Sequence, residues 1–130
     1  MQDSILLFDQ TIEPRWCDFD MYNHLTSSKY IDLSIEARYT YFKNQIHKMP
    51  GMQLVTKSVQ VDYKKPIYFS ESINLKLYLL ELSAVSFVLQ TQFLVNNSIN
   101  AIVITKLVTI MDNKIIKIPE LFMNKLTGIK

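Results

Sequence analysis

Glycine is almost missing from this chain: two occur in 130 residues, Gly51 and Gly128. Loops that cradle phosphates need several glycines close together so that backbone amides can approach the ligand, and nucleotide chemistry of that kind is excluded. Cysteine is scarcer still. Cys17 stands alone, which rules out an intramolecular disulfide and a cysteine-rich metal centre and suits a reducing compartment, the cytoplasm. The two histidines, His24 and His47, have no histidine or cysteine at ligand spacing, so no metal site is expected. No Gly-x-Ser-x-Gly elbow is present to activate a serine nucleophile. Long apolar runs are absent as well. The first, Ile5 to Phe8, stops at Asp9 and is far too short for a signal-peptide core or a membrane span. The formal charge of +2 is small and its basic residues are dispersed, with Lys64-Lys65 the one pair of note, so neither nucleic acid nor a membrane is an expected partner.

What is present is core-forming material. Hydrophobic residues make up 48% of the chain, enough for one domain over residues 1–130 that buries about two-thirds of the surface its unfolded chain exposes. Ser4 to Glu13 reads as a first strand, closed by Pro14, which has no amide hydrogen for a ladder. From Ser28 to about Ile46, apolar Ile31, Ile35, Tyr39, Phe42 and Ile46 recur every three or four residues, opposite Lys29, Asp32, Glu36, Thr40 and Lys43. This predicts one long helix, with Thr26 or Ser27 as its N-cap and Pro50-Gly51 as its stop. Period-two alternation then predicts strands at Val55–Tyr63, Ile73–Leu79 and Val85–Val95, with turn chemistry at Asn96-Asn97-Ser98. Ala101 to Met111 is apolar on both faces and belongs inside a sheet. Asp112-Asn113 turns the chain, and Pro119 to Leu126 predicts a short last helix. One long helix and five strands make an α+β domain, a sheet wrapped on a helix. A single helix covers one sheet face only, so pairing with a second copy is expected.

The chemistry concentrates between Arg15 and Phe42. Asp18 and Asp20 stand two apart, followed at once by Asn23, His24 and the start of the helix. A helix start presents amides without intrahelical partners and a partial positive charge, so it stabilises an oxyanion or a polarised carbonyl. A carboxylate facing such a start is half of a hydrolytic site. An Asp at this place also has a purely structural use, ordering the loop by accepting hydrogen bonds from the amides of residues 22 to 24. Asp18 is the less suited to chemistry and better fits fixing the loop or pairing with Arg15.

Arg15, Trp16, Asp18, Asp20, His24 and Tyr30, with Glu36 and Arg38 closing the stretch, resemble the opening motif of the hotdog-fold acyl-CoA thioesterases of the 4-hydroxybenzoyl-CoA thioesterase type. Tyr63, Pro66, Glu71 and Ile118-Pro119-Glu120 resemble later landmarks of that family. Asn23 replaces the family's glycine, a mild change because asparagine tolerates positive φ. Thr26-Ser27 replaces its Asn-Asn pair. The resemblance implies a hotdog fold, a five-stranded antiparallel sheet around one long central helix, assembled as a homodimer or homotetramer with sites between subunits. It implies hydrolysis of an acyl-CoA to a carboxylic acid and coenzyme A, with Asp20 as nucleophile or general base and no cofactor beyond the coenzyme A of the substrate. Substrate contacts expected on this view are Asn23, His24 as a hydrogen-bonding brace, and Ser27 near the thioester. Tyr30 and Tyr63, with Tyr22, would line the acyl pocket, and Lys64 and Lys65 would meet the phosphates. The dehydratase motifs of the same fold are not matched, since the spacing from Asp20 to His24 is one residue short and lacks a proline. Two alternatives stay open: a non-catalytic hotdog subunit that binds an acyl thioester or serves assembly, and a thioesterase acting on acyl carrier protein.

Overall fold

A computed structural model of the chain describes residues 4–128. Strand β1 (Ile5–Ile12) ends ahead of Pro14, and a single 3-10 turn at Trp16–Asp18 leads through a loop into α1 (Ser27–Lys48). There follow β2 (Met52–Tyr63), β3 (Ile73–Leu82), β4 (Ser86–Val95), β5 (Ser98–Met111), β6 (Lys114–Ile115) and α2 (Glu120–Thr127). Every strand pairing is antiparallel, in the order β1-β3-β4-β5-β2, with β6 on β5. This is the hotdog arrangement. The sheet has one strand more than the sequence pattern gives, because Asp112 and Asn113, at φ 53° and 63°, turn β5 back for two further pairs. Asn96 and Asn97 make the same kind of turn between β4 and β5.

β5 is hydrogen-bonded on both sides, to β4 and β2, as its two apolar faces require. Its inward Ala101, Val103 and Leu107 are buried against α1, and its outward Ile102 and Ile104 are half-buried. The face that α1 buries differs from the expected stripe. Tyr30, Ser34, Ala37 and Phe42 point in, whereas Ile35 and Tyr39 are exposed. Small Ser34 and Ala37 let the helix backbone lie close to the curled sheet. The Ser34 hydroxyl can be buried because it donates to its own helix, to the Ile31 carbonyl at 2.7 Å. β2 also departs from simple alternation: its register with β5 slips between Thr56 and Ser58, so Lys57 is left over as a bulge. β2 is one of the two sheet edges, and its Val59 and Tyr63 are exposed.

The interior forms two clusters along α1. One surrounds the helix start with Leu25, Tyr30, Ile67, Ile73 and Phe93; the other surrounds Phe42 with Phe87, Leu107, Phe122 and Leu126. Among the described residues no helix is long and apolar enough to cross a membrane.

Candidate active site

Two aspartates in the loop before α1 do opposite work. Asp18 is buried: its Oδ2 accepts the Arg15 amide at 2.9 Å, and its Oδ1 accepts the Arg15 guanidinium at 3.3 Å and lies 3.5 Å from Lys29 Nζ in the first turn of α1. Its carbonyl accepts the Thr26 amide at 2.9 Å. Burial pushes the Asp18 carboxyl up, but hydrogen bonds from Arg15 and the charges of Arg15 and Lys29 outweigh burial and hold it below its ordinary value. Asp18 thus ties the loop to the helix. Asp20 is exposed, and its Oδ1 accepts the amides of Tyr22 at 2.8 Å and His24 at 3.1 Å. The turn this creates places Asn23 at φ 64°, the conformation that asparagine tolerates best after glycine. Among the described residues Asp20 Oδ2 accepts no protein hydrogen bond.

The loop amides are almost all spoken for. His24 donates to Asp20, Leu25 to the Ile67 carbonyl at 2.7 Å and Thr26 to Asp18, while the Lys29 amide closes onto the Thr26 carbonyl. Among the described residues only the amides of Ser27 and Ser28 in the sequence 24 to 29 lack a protein acceptor. Thr26 is the N-cap by position, yet its hydroxyl makes no capping bond. The helix start is therefore left with two adjacent donors unpaired.

A cleft of about 370 Å³ joins these parts, lined by Asp20, His24, Thr26 and Ser27 on one side and Tyr63, Lys64, Lys65 and Pro66 on the other, with Leu25 and Tyr30 beneath. It brings together seven of the nine residues singled out in the sequence. Asn23 lines a neighbouring hollow instead, and Tyr22, expected in the acyl pocket, is exposed and lines neither. Tyr63 spans the cleft, donating its hydroxyl to the Ser27 carbonyl at 2.9 Å, and its ring meets that of Tyr30 edge-on at 5.1 Å. Burial pushes the Tyr30 phenol up to about 12, so it stays protonated at neutral pH. His24 pairs with Tyr68 as an isolated bridge, and its ring lies edge-on to Tyr68 at 5.1 Å. Lys64 is engaged by Asp62 at 3.1 Å, whereas Lys65 has no ion pair among the described residues.

Sequence reasoning missed Asn100. It is buried on β5, its carbonyl accepts the amides of both Lys64 and Lys65, and its Nδ2 donates to the Pro66 carbonyl at 3.2 Å, so it sets the lysine turn against the cleft. An asparagine immediately ahead of the apolar run Ala101 to Met111 was the available signal. Among the described residues no group of three or more His, Cys, Asp or Glu side chains is placed to hold a metal.

A family model described as the thioesterase-like superfamily matches residues 13–126, a span that contains every residue of this cleft. No curated protein sequence matches the chain. Among solved structures, a hypothetical protein from Aquifex aeolicus superposes with a TM-score of 0.85 at 22% identity over 92% of this chain and 98% of that one. A thioesterase from Thermus thermophilus, complexed with coenzyme A and zinc, gives 0.80 at 18% identity over 93% of this chain and 92% of that one. A gentisyl-coenzyme A thioesterase gives 0.78 at 16% identity over 89% and 99% respectively. At these identities the likeness to solved structures is one of fold.

Proposed function

The chain belongs to the thioesterase-like superfamily, and from that premise we propose that it hydrolyses an acyl-CoA to a carboxylic acid and free coenzyme A, with Asp20 as the reacting carboxylate. The observation that carries the proposal is the meeting, in one cleft, of Asp20, held through Oδ1 by two loop amides, with Ser27 at the start of α1, whose amide and that of the adjoining Ser28 are unpaired among the described residues. One oxygen is fixed and the other is left for chemistry.

The thioester carbonyl sits with its oxygen toward the Ser27 and Ser28 amides, which stabilise the negative charge that builds there. Asp20 takes the proton of a water that attacks the carbonyl carbon. Collapse of the tetrahedral intermediate breaks the carbon–sulfur bond, and the thiolate leaves with the proton held by Asp20. In the other form of the mechanism Asp20 attacks the carbonyl carbon directly, the carbon–sulfur bond breaks, the thiolate leaves and takes a proton from water, and a second water then hydrolyses the mixed anhydride and returns Asp20 as the free carboxylate. Lys65, the cation without a protein partner, faces the phosphates of coenzyme A more readily than Lys64, which Asp62 already neutralises. The neighbour crystallised with coenzyme A is in keeping with that carrier. A second copy pairs along the free edge of β2, where Val59 and Tyr63 are exposed, giving a homodimer.

The test is release of free thiol from acyl-CoA substrates of graded chain length by the native chain and by Asp20→Asn. Turnover by the native chain that falls about 10³-fold in the variant supports the proposal. Saturable acyl-CoA binding with no thiol released by either protein overturns it in favour of a non-catalytic binding subunit, and thiol release confined to acyl carrier protein thioesters overturns the choice of carrier. Single turnover in ¹⁸O water identifies direct attack when label appears in Asp20, since only hydrolysis of a mixed anhydride at the aspartyl carbonyl puts it there.

A further inference from the structure

Three large side chains that folding ordinarily covers are left open beside Asp20: Trp16 is 75% exposed, Met21 89% and Tyr22 68%. Single apolar residues on a surface need no explanation, but a contiguous set next to a candidate site does. These are contiguous with more: Phe19 packs edge-on against Phe69 at 5.4 Å, and Trp16, Phe19 and Met21 line a hollow of about 390 Å³ together with Asp20 and Asn23. Asp20 also lines the cleft that carries Lys64 and Lys65, so the two hollows share this residue. Their chemistry differs. One has two cations on its rim, while the only charge lining the other is that of Asp20 itself.

A ligand drawn across Asp20 has its anionic arm on the lysine side and its second arm on the side of Trp16 and Met21. A second arm ending in a carboxylate meets the charge of Asp20 with no cation to offset it. A hydrocarbon arm removes Trp16 and Met21 from water. We infer that the acyl group of the substrate is an uncharged hydrocarbon chain of medium or greater length, seated on the hollow beside Trp16 and Met21, which set the preference for chain length. This rests on the thioesterase reading of Asp20, and its test does not depend on turnover.

Trp16 is the only tryptophan in the chain, so its emission reports directly on what covers the hollow. The native protein is titrated with two thioethers that cannot be hydrolysed, S-dodecyl-CoA and S-ethyl-CoA. S-dodecyl-CoA shifts the emission saturably to shorter wavelength and S-ethyl-CoA leaves it in place. Met21→Ser weakens S-dodecyl-CoA about tenfold, as expected for loss of a covering methionine, and leaves S-ethyl-CoA within about twofold. Equal responses to the two thioethers, or none to either, overturn the inference. So does a shift produced by phosphatidylcholine vesicles but not by S-dodecyl-CoA, which assigns the hollow to a lipid surface. A fall in sedimentation mass of Met21→Ser with unchanged chain-length discrimination assigns it to a second copy. If thiol release fails while the emission still separates the thioethers, the hydrolytic reading falls and the hydrocarbon subsite stands.

Discussion

The two ends of α1 use aromatic residues in opposite ways. Near its end, Phe42 is fully buried, with Phe87 and Phe122 packed around it at ring separations of 5.9 and 5.7 Å. Near its start, Trp16 and Tyr22 stand in solvent beside a carboxylate that the fold leaves half-satisfied. Around Phe42 each ring removes apolar surface from water, whereas around Asp20, outside the core cluster of Tyr30 and Phe93, unpaired groups and uncovered rings are left available to a ligand. One helix holds the two regimes in fixed relation.

The contrast can be broken most forcefully from the buried end. Phe42→Ala is expected to cost about 4 to 5 kcal/mol of unfolding free energy, the upper range for emptying a well-packed site, measured by urea denaturation. At whatever temperature the variant stays folded, its chain-length preference should match that of the native protein; a changed preference would mean that the two ends are coupled. Asp20→Asn acts in the reverse sense. Its expected loss of about 10² to 10³ in kcat is about 3 to 4 kcal/mol of transition-state stabilisation, with an unfolding midpoint close to native. A large drop in that midpoint would reassign Asp20 to loop structure.

Asp18→Asn lies between these, because Asp18 belongs to the candidate-site loop in position and to the scaffold in contacts. Losing its pairs with Arg15 and Lys29 should lower stability at pH 7 by less than loss of a fully buried pair, because Arg15 is exposed. The folded carboxyl titrates below its unfolded value of ~3.9, so its stabilisation is complete above that pH and fades as pH falls through the lower folded value. The gap between native and variant, followed by denaturation at stepped pH, should shrink progressively as pH falls below ~3.9. A gap that is flat with pH would show that charge is not the source. The smallest effect is expected for Tyr63→Phe, which removes one exposed bond to the Ser27 carbonyl and should cost under about 1 kcal/mol in stability. Calorimetry of the pair would detect it.

Much of this was legible in the sequence where the signal is local. The helix bounds came within two residues, the Asn96-Asn97 and Asp112-Asn113 turns were explicit in residue type, and Asn23 announced a positive φ. Ile35 and Tyr39 misled because periodicity weighs side-chain hydrophobicity, whereas the packed face was decided by how closely Ser34 and Ala37 allow backbone and sheet to approach. The bulge at Lys57 was hidden for a related reason: register is a property of two strands, and β5 lies some fifty residues downstream of its partner. Around the candidate site, residue type singled out Asp20 and the loop-ordering bonds from the amides of residues 22 to 24, two of which form, but not that Ile67 and Asp18 take the amides of Leu25 and Thr26 and leave those of 27 and 28 unpaired. Asn100 could be noticed by its type, but its partners, Lys64, Lys65 and Pro66, come from another strand end and could not be matched to it from sequence.

The strand order carries a consequence for how the molecule assembles. β3, β4 and β5 are consecutive hairpin neighbours, whereas β1 and β2 join the sheet from across long stretches of chain. Closure of short loops precedes closure of long ones, so the central meander is expected to form early and the outer strands to dock late. Residues 20 to 27 and 63 to 66 meet only at that late step, and amide deuteration under native conditions should accordingly run fastest there and slowest along β4.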